Sequence, residues 1–575
     1  MADQLTLLRT QFPGEHAMYC SLTGPGAIAS SKVFELIREN GKLAVLFNWL
    51  LVDLNVHFMK CVLFCLAFLL SITAFSQTPF KSEITIDATQ KGQEISPLQY
   101  GQFIEHLGRA INGGIYDEHS KLSDSNGFRM DVLEKVKELR TPLLRYPGGT
   151  FTKIYHWQDG IGPKASRKKR KNLIWGGVED NHFGTAEFIA YCRKIGAEPF
   201  LVVNMATGTP EEAANWVEYC NGTTDTYYAN LRRKDGFEEP FNVKYWGIGN
   251  EEGAEPDMGR HQDLDVYIKD TWQFVKMMKL QDSSLKLVLV GNSEDLHWSR
   301  TVLERLGPVC DYLSIHLYSI PADTSFSSLI QSIDHIERPL TQVDSLLAAT
   351  PVKVENFSRW YRFPARSGPI KIAVDEWGIW DINSGKGKGA YNLEYQYNWS
   401  HALGVATFLN LFQRHSRSIG MATWAQTVNV LAPIMSDSAG SYRQTIFAPL
   451  KAFRDYAGQY NLPTQTTTHE SSPGIRAIDA ASSRSADSNQ IILTIVNRDL
   501  DHAAEAIVHV KDQQRNQQRV TLKQISYTGK SLYGVNSATN ENTVIKTEIK
   551  KNVDPASFRI VLSPASFTVI MLNGL

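Results

Sequence analysis

Two segments far apart in this chain, 243–251 (VKYWGIGNE) and 370–377 (IKIAVDEW), each read as a buried β-strand that runs out on a glutamate. Glu251 and Glu376 lie 125 positions apart (376 − 251), so they form a pair only in a fold that brings both strand ends to one cleft. Two carboxyl groups facing one cleft are the minimal equipment for hydrolysing a glycosidic bond. Each has an acidic neighbour, Glu252 and Asp375. Because successive strand residues point to opposite faces, at most one acid of each pair enters a barrel mouth directly.

The elements that would position the two acids follow a regular alternation. Strand-like apolar runs at 97–103, 141–146, 198–204, 243–249, 285–291, 312–318, 370–375 and 419–425 are separated by segments of helical period, among them 130–139, 185–195, 210–219, 264–278, 299–306, 325–347 and 395–415. The clearest helix start is Thr209-Pro210-Glu211-Glu212, a cap, a first-turn proline and acids near the positive dipole end. Eight βα units predict a (β/α)8 TIM barrel over residues 96–455, in which chemistry sits at the carboxyl ends of the strands. Glu251 and Glu376 both occupy such ends. From 456 to 575 the chain changes to short β-rich runs, such as IILTIVNR and FTVIMLN, which predict a C-terminal β-sandwich without a catalytic constellation. Residues 77–95 contain an alternating run, SEITIDA, that is expected to add a strand to that sandwich.

Composition excludes several function classes. The chain has 575 residues, 43% hydrophobic and 21% charged, which suits a folded protein of more than one domain. A net charge of −1 provides no electrostatic basis for binding nucleic acid or an anionic membrane. The basic run Arg167 to Lys171 (RKKRK) carries no interleaved aromatics and reads as a solvated loop. Cys192, Cys220 and Cys310 make neither a disulfide framework nor a metal cluster and read as small packing residues. No cofactor or metal is expected.

From Met59 the sequence MKCVLFCLAFLLSITAFSQ has one lysine, an apolar stretch and small residues at 74 and 76, the pattern of a secretory signal peptide over 59–76. The expectation is that Met59 is the true start, that residues 1–58 are a non-native upstream extension, and that the protein is exported to the periplasm or beyond the cell. Polar residues such as Asp53 and Lys60 interrupt the stretch as a transmembrane anchor, so no integral membrane domain is expected in the mature protein.

The motifs then carry a resemblance. YGQFIEHLGRAINGGIYDE (100–118), LRYPGGTF (144–151), WQDGIGP (157–163), KYWGIGNEE (244–252), SIHLYS (314–319), VDEWGIW (374–380) and AQTVNVLAPI (425–434) run in order through the barrel. In these the chain resembles the α-L-arabinofuranosidases of glycoside hydrolase family 51. The resemblance implies that Glu251 is the acid/base and Glu376 the nucleophile of a retaining exo-enzyme. Such an enzyme would remove terminal α-L-arabinofuranosyl residues from arabinan, arabinoxylan or derived oligosaccharides, with Glu251 entering the cycle protonated.

Further contacts carry over as expectations. Glu105 and Asn250 would bind sugar hydroxyls, Tyr318 would orient the nucleophile, Gln426 would close the pocket, and Trp175 would line it or belong to the core. Thr150 stands where the family usually places a sugar-contacting asparagine, a departure that bears on substrate preference rather than on reaction type. Oligomers are frequent in the family, which leaves a homo-oligomer open. Two other readings remain at this point: a clan-related retaining β-xylosidase or endoglucanase, and a carbohydrate-binding protein that has lost catalysis.

Overall fold

Eight parallel strands close into a barrel in strictly sequential order: β1 (Gly101–Phe103), β2 (Leu143–Tyr146), β3 (Glu198–Val203), β4 (Tyr245–Ile248), β5 (Lys286–Val290), β6 (Tyr312–Ser319), β7 (Lys371–Ile379) and β8 (Ile419–Ala425). The computed structural model describes residues 78–254, 261–351, 357–382, 393–512 and 519–574. The expected upstream extension and signal peptide lie outside the described residues. None of the helices among the described residues is long and apolar enough to cross a membrane.

Most elements lie where the periodicity puts them, and the differences have local causes. Pro97–Tyr100 forms a 3-10 turn rather than the start of a strand: the Ser96 hydroxyl accepts from the Leu98 amide at 3.3 Å, and the proline supplies no strand donor. The expected helix at 325–347 is two, Phe326–Asp334 and Glu337–Ala349. Helices Tyr227–Lys234 and Phe447–Tyr456 add to the expected set. The helix after the Thr209 cap runs Pro210–Asn221, with the Glu212 amide donating to the cap hydroxyl at 3.1 Å.

The barrel interior divides into two zones. One is apolar: Leu143, Phe200, Val202, Tyr245, Val288, Ala373 and Met421 fill it, each withdrawn from water and worth about 1.5–3 kcal/mol for the large side chains. The other, toward the carboxyl ends of the strands, holds the buried polar groups Arg145, Asn250, Asp375 and Glu376. Outside the strands, a larger apolar cluster joins the helices to the barrel and continues through Trp399 to Val496, Ile525 and Phe567 of the second domain.

That second domain contains a seven-stranded and a four-stranded sheet around its own core, with Ile84, Ile491, Val508, Leu522 and Ile560 among its members. Phe80–Asp87 lies inside the four-stranded sheet, parallel to Ala504–Lys511 and antiparallel to Thr464–Thr467. Strand Val544–Val553 forms one edge of the larger sheet, and its three lysines and Glu548 keep that edge polar.

The basic run is less uniformly solvated than its composition suggests. Arg167 is nearly buried, donating to Glu187 and to the carbonyls of Asn181 and His182, while Arg170 pairs with Asp159 at 2.7 Å. Its function is therefore internal bracing of the loop after β2. The three thiols are buried and unbridged, and burial pushes all three up, as expected of inert packing groups.

Candidate active site

Glu376 is reached by a break in strand register. Between β6 and β7 the pairing moves from Ser314↔Ala373 to His316↔Glu376, so β7 carries one extra residue there. A bulge of this kind re-aims the side chains that follow it. It lets both Asp375 and Glu376 approach His316, at 3.6 Å each, although they are adjacent in sequence.

The Glu376 carboxylate is held by three side chains from two other strands. Arg145 at the end of β2 donates to Oε1 at 2.6 Å, Tyr318 on β6 donates to Oε2 at 2.9 Å, and His316 lies 3.6 Å from Oε2. Asp375 sits behind, facing the Arg145 Nε at 3.4 Å and accepting from the Ser314 hydroxyl. Burial works against ionising Asp375, but Arg145 and His316 outweigh it and hold the carboxyl below its usual range. Close backbone approach is required here: a Cβ on Gly149 would lie 2.5 Å from Glu376 Oε1, and one on Gly148 would lie 2.7 Å from Glu105 Cγ.

Glu251 lies just beyond β4 in the left-handed region, at φ 50°. Its Oε1 contacts His316 Nδ1 at 2.7 Å, and its side chain keeps 24% exposure where the Glu376 side chain keeps 9%. Ligand-type atoms of Glu251, His316 and Glu376 all lie within 4.8 Å of one another. Burial opposes charge on His316, yet the carboxylates of Glu376 and Glu251 hold the ring well above the ordinary imidazole range. Tyr318 is driven up by burial and by the Glu376 charge, so it stays a hydrogen-bond donor.

The remaining sequence-derived residues gather around this centre. Asn250 accepts from the second arm of Arg145 at 2.6 Å, while its Nδ2 is buried with no hydrogen-bond partner among the described residues. An unpaired buried amide donor is costly unless a ligand satisfies it, which suits a sugar hydroxyl. Glu105 accepts from the Phe151 amide at 2.9 Å and from Trp175 Nε1 at 3.0 Å. Its burial, assisted by the Glu376 charge, pushes the carboxyl up to about 7. Both ends of the Gln426 amide are taken by Glu105: Nε2 donates to Oε2 at 3.1 Å and Oε1 accepts from the backbone amide at 3.0 Å. In this structure Gln426 therefore positions Glu105. Thr150 is buried at the start of the 3-10 turn Thr150–Ile154, next to Gly149.

Two residues of this centre were not singled out from the sequence. Arg145 and His316 lie inside motifs already quoted, LRYPGGTF and SIHLYS, and the signal was available: a cationic side chain within an apolar strand run needs a buried partner. What the pattern alone lacked was which carboxylate each would meet.

A parallel eight-stranded barrel with two carboxyl groups converging at the ends of β4 and β7 defines a glycoside hydrolase. The chain matches the model of the α-L-arabinofuranosidase 1 domain over residues 135–338 and that of the α-L-arabinofuranosidase C-terminal domain over 375–566. It is 43% identical over 386 residues to α-L-arabinofuranosidase C of Emericella nidulans, covering 65% of this chain and 74% of that one. It is 31% identical over 517 residues to the intracellular exo-α-(1→5)-L-arabinofuranosidase of Acetivibrio thermocellus, covering 86% of this chain and 99% of the relative. The crystal structure of the Thermotoga maritima α-L-arabinofuranosidase in its arabinose complex superposes with a TM-score of 0.76 at 34% identity, over 86% of this chain and all of the other. A family 51 enzyme from Thermotoga petrophila matches equally, with a TM-score of 0.76 over 85% of this chain. The chain belongs to glycoside hydrolase family 51 and is an α-L-arabinofuranosidase.

Proposed function

We propose that the enzyme works by double displacement with retention, releasing single arabinofuranosyl units from chain ends. The observation that carries this reading is the 4.8 Å limit on the separation of the Glu251 and Glu376 donor atoms. Retaining enzymes hold their carboxyl groups roughly 5 Å apart, whereas inverting enzymes need about 6.5–9.5 Å to admit a water. Glu376, held between Arg145 and Tyr318, attacks the anomeric carbon as the glycosidic C–O bond breaks and Glu251 gives its proton to the leaving oxygen. Glu251 then takes a proton from water, which attacks the arabinosyl ester and frees Glu376. Both C–O events proceed through oxocarbenium-like transition states.

Exo-action is supported by the burial of Glu105, Asn250 and Glu376, at 4%, 2% and 7% exposure, which favours a closed end over an open groove. The name of the Acetivibrio thermocellus relative, an exo-enzyme acting on α-(1→5) linkages, supports the same mode. The substrates we propose are arabinan, arabinoxylan and oligosaccharides derived from them. Export rests on the leader-like segment from Met59, and N-terminal sequencing of mature protein from culture fluid tests it.

The deciding experiment is an aryl α-L-arabinofuranoside beside the corresponding β-xyloside, with Glu376→Ala as control and the anomer of the first product read by NMR. Turnover of the arabinoside with retention, abolished in the variant, is expected. Inversion, or undiminished turnover by Glu376→Ala, would sink the proposal.

A further inference from the structure

Glu252 follows the acid/base residue directly, yet it turns away from the cleft and is completely buried. Its Oε2 meets Nδ1 of His261 at 2.8 Å, and Nε2 of the same ring meets Asp270 Oδ2 at 3.0 Å. His261 is itself fully buried, edge-on to Tyr267 at 5.8 Å between ring centres. Asp270 lies within helix Leu264–Gln281, with its carboxyl one-third exposed. The three side chains thus form a line from the residue beside Glu251 to the flank of the helix that follows β4.

The backbone around Glu252 makes that line consequential for Glu251. Gly249, Glu251 and Gly253 all have positive φ, at 82°, 50° and 80°. A glutamate in the left-handed region persists only where its surroundings over-determine it, because the conformation costs of order 1–3 kcal/mol. Gly253 cannot be replaced without collision, since its Cβ would lie 2.3 Å from the Trp298 ring. Trp298 is in turn fixed by donating to the Val290 carbonyl at 3.1 Å. Beside the contacts of Asn250 to Arg145 and of Glu251 to His316, the Glu252 side chain is the buried anchor on the far side of this turn, and rotation of the 251–252 peptide would pull it away from His261.

We infer that Glu252, His261 and Asp270 form a buried relay that holds Glu251 in proton-donating position. They are positioning residues; none touches the reacting atoms. A buried carboxyl group pulled away from its hydrogen-bond partner is strongly unfavourable, so the relay resists the small rotations that a surface hydrogen bond would tolerate. A misplacement of about 1 Å in a catalytic group is enough to cost on the order of 100-fold in rate. Glu376 belongs to β7 and is held by Arg145 and Tyr318, so the relay acts on proton transfer and leaves the nucleophile in place.

The inference rests on the acid/base role of Glu251, and the experiment separates the two. Glu252→Gln keeps the volume and replaces one carboxyl oxygen by an amide donor. kcat/KM is measured on 4-nitrophenyl α-L-arabinofuranoside, whose leaving group needs little protonation, and on α-1,5-linked arabinobiose, whose leaving group needs it fully. The expected result is a fall at least tenfold larger on arabinobiose, with the same selectivity in Asp270→Asn, a change at the exposed end of the line that spares the core if Glu252→Gln does not fold. Equal falls on both substrates, or no fall on either, would overturn the relay. Glu251→Ala on the same two substrates is the reference: absence of leaving-group selectivity there would instead overturn the acid/base assignment.

Discussion

Arg145 holds the Glu376 carboxylate with one arm of its guanidinium and the Asn250 amide oxygen with the other, each at 2.6 Å. One side chain on β2 thereby ties Glu376 on β7 to Asn250, the residue before Glu251 beyond β4. Arg145 is fully buried over the Phe103 ring at 4.7 Å and keeps its charge because Asp375, Glu376 and Glu105 surround it, which outweighs the burial. Lysine supplies a point charge instead of a fork and cannot make both contacts. Arg145→Lys is expected to lose roughly 100-fold or more in kcat. Arg145→Met should in addition lose about 3–5 kcal/mol of stability, because two buried carboxylates lose their cation. Kinetics of the lysine variant and denaturant unfolding of the methionine variant check this; wild-type kcat in Arg145→Lys would show that the fork is not needed.

Glu251→Ala tests the acid/base role in another way. Removal of the carboxyl opens space beside His316, which a small anion can enter. Activated aryl arabinosides should retain more activity than natural linkages, and azide should accelerate turnover with formation of an arabinosyl azide of retained configuration. Uniform loss without azide rescue would count against the assignment.

His316 lies between the Glu251 and Glu376 carboxyls, and its raised proton affinity has a definite sign. Its folded value exceeds the unfolded value of about 6.5, so its stabilising contribution is fully present below that pH. It is lost as pH rises through the folded value. His316→Gln should therefore narrow the stability gap to the parent on moving from neutral to alkaline pH, and should also shift the alkaline limb of kcat/KM, since the ring offers the Glu251 proton an alternative seat at 2.7 Å. An alkaline limb unchanged by this substitution would remove His316 from proton handling.

How much of this was legible in the sequence depends on what each residue needs. The strands could be read because barrel strands are covered on both faces and appear as continuous apolar runs, and Glu251 and Glu376 could be read because they end such runs. The bulge between Ser314 and His316 could not, since it arises from pairing between β6 and β7 and leaves no local mark in either strand. The same holds for Gln426. Its type and place after β8 indicate a pocket residue, but only the tertiary structure shows both ends of its amide committed to Glu105.

The resemblance implies that Thr150 stands where the family usually has an asparagine, and introducing the amide tests what that difference does. It stands next to Gly149, whose Cα passes close to Glu376, and is almost fully buried. A hydroxyl donates one hydrogen bond where an asparagine amide donates two and accepts. Thr150→Asn is expected to lower KM for arabinofuranosides several-fold with kcat changed by less than about threefold, as each added hydrogen bond is worth about 0.5–1.5 kcal/mol. A raised KM would mean that the site is shaped around the smaller side chain.

Glu105 carries the most direct pH prediction. Its carboxyl is pushed up to about 7 by burial and by the Glu376 charge, against an ordinary value of 4.5. Between those values the folded protein holds a proton that the unfolded chain has released, so this group's contribution to stability falls as pH rises from about 4.5 to 7 and is level above that. The size is on the order of 3 kcal/mol at one pKa unit per 1.36 kcal/mol. Glu105→Gln cannot titrate; its one acceptor oxygen can serve the Phe151 amide and Trp175, while its amide nitrogen loses the hydrogen bond from Gln426. Its stability relative to the parent should therefore be more favourable at pH 8 than at pH 5, while arabinoside KM rises at both. Parallel unfolding curves at the two pH values, with no change in the difference between variant and parent, would show that Glu105 is already ionised at pH 5.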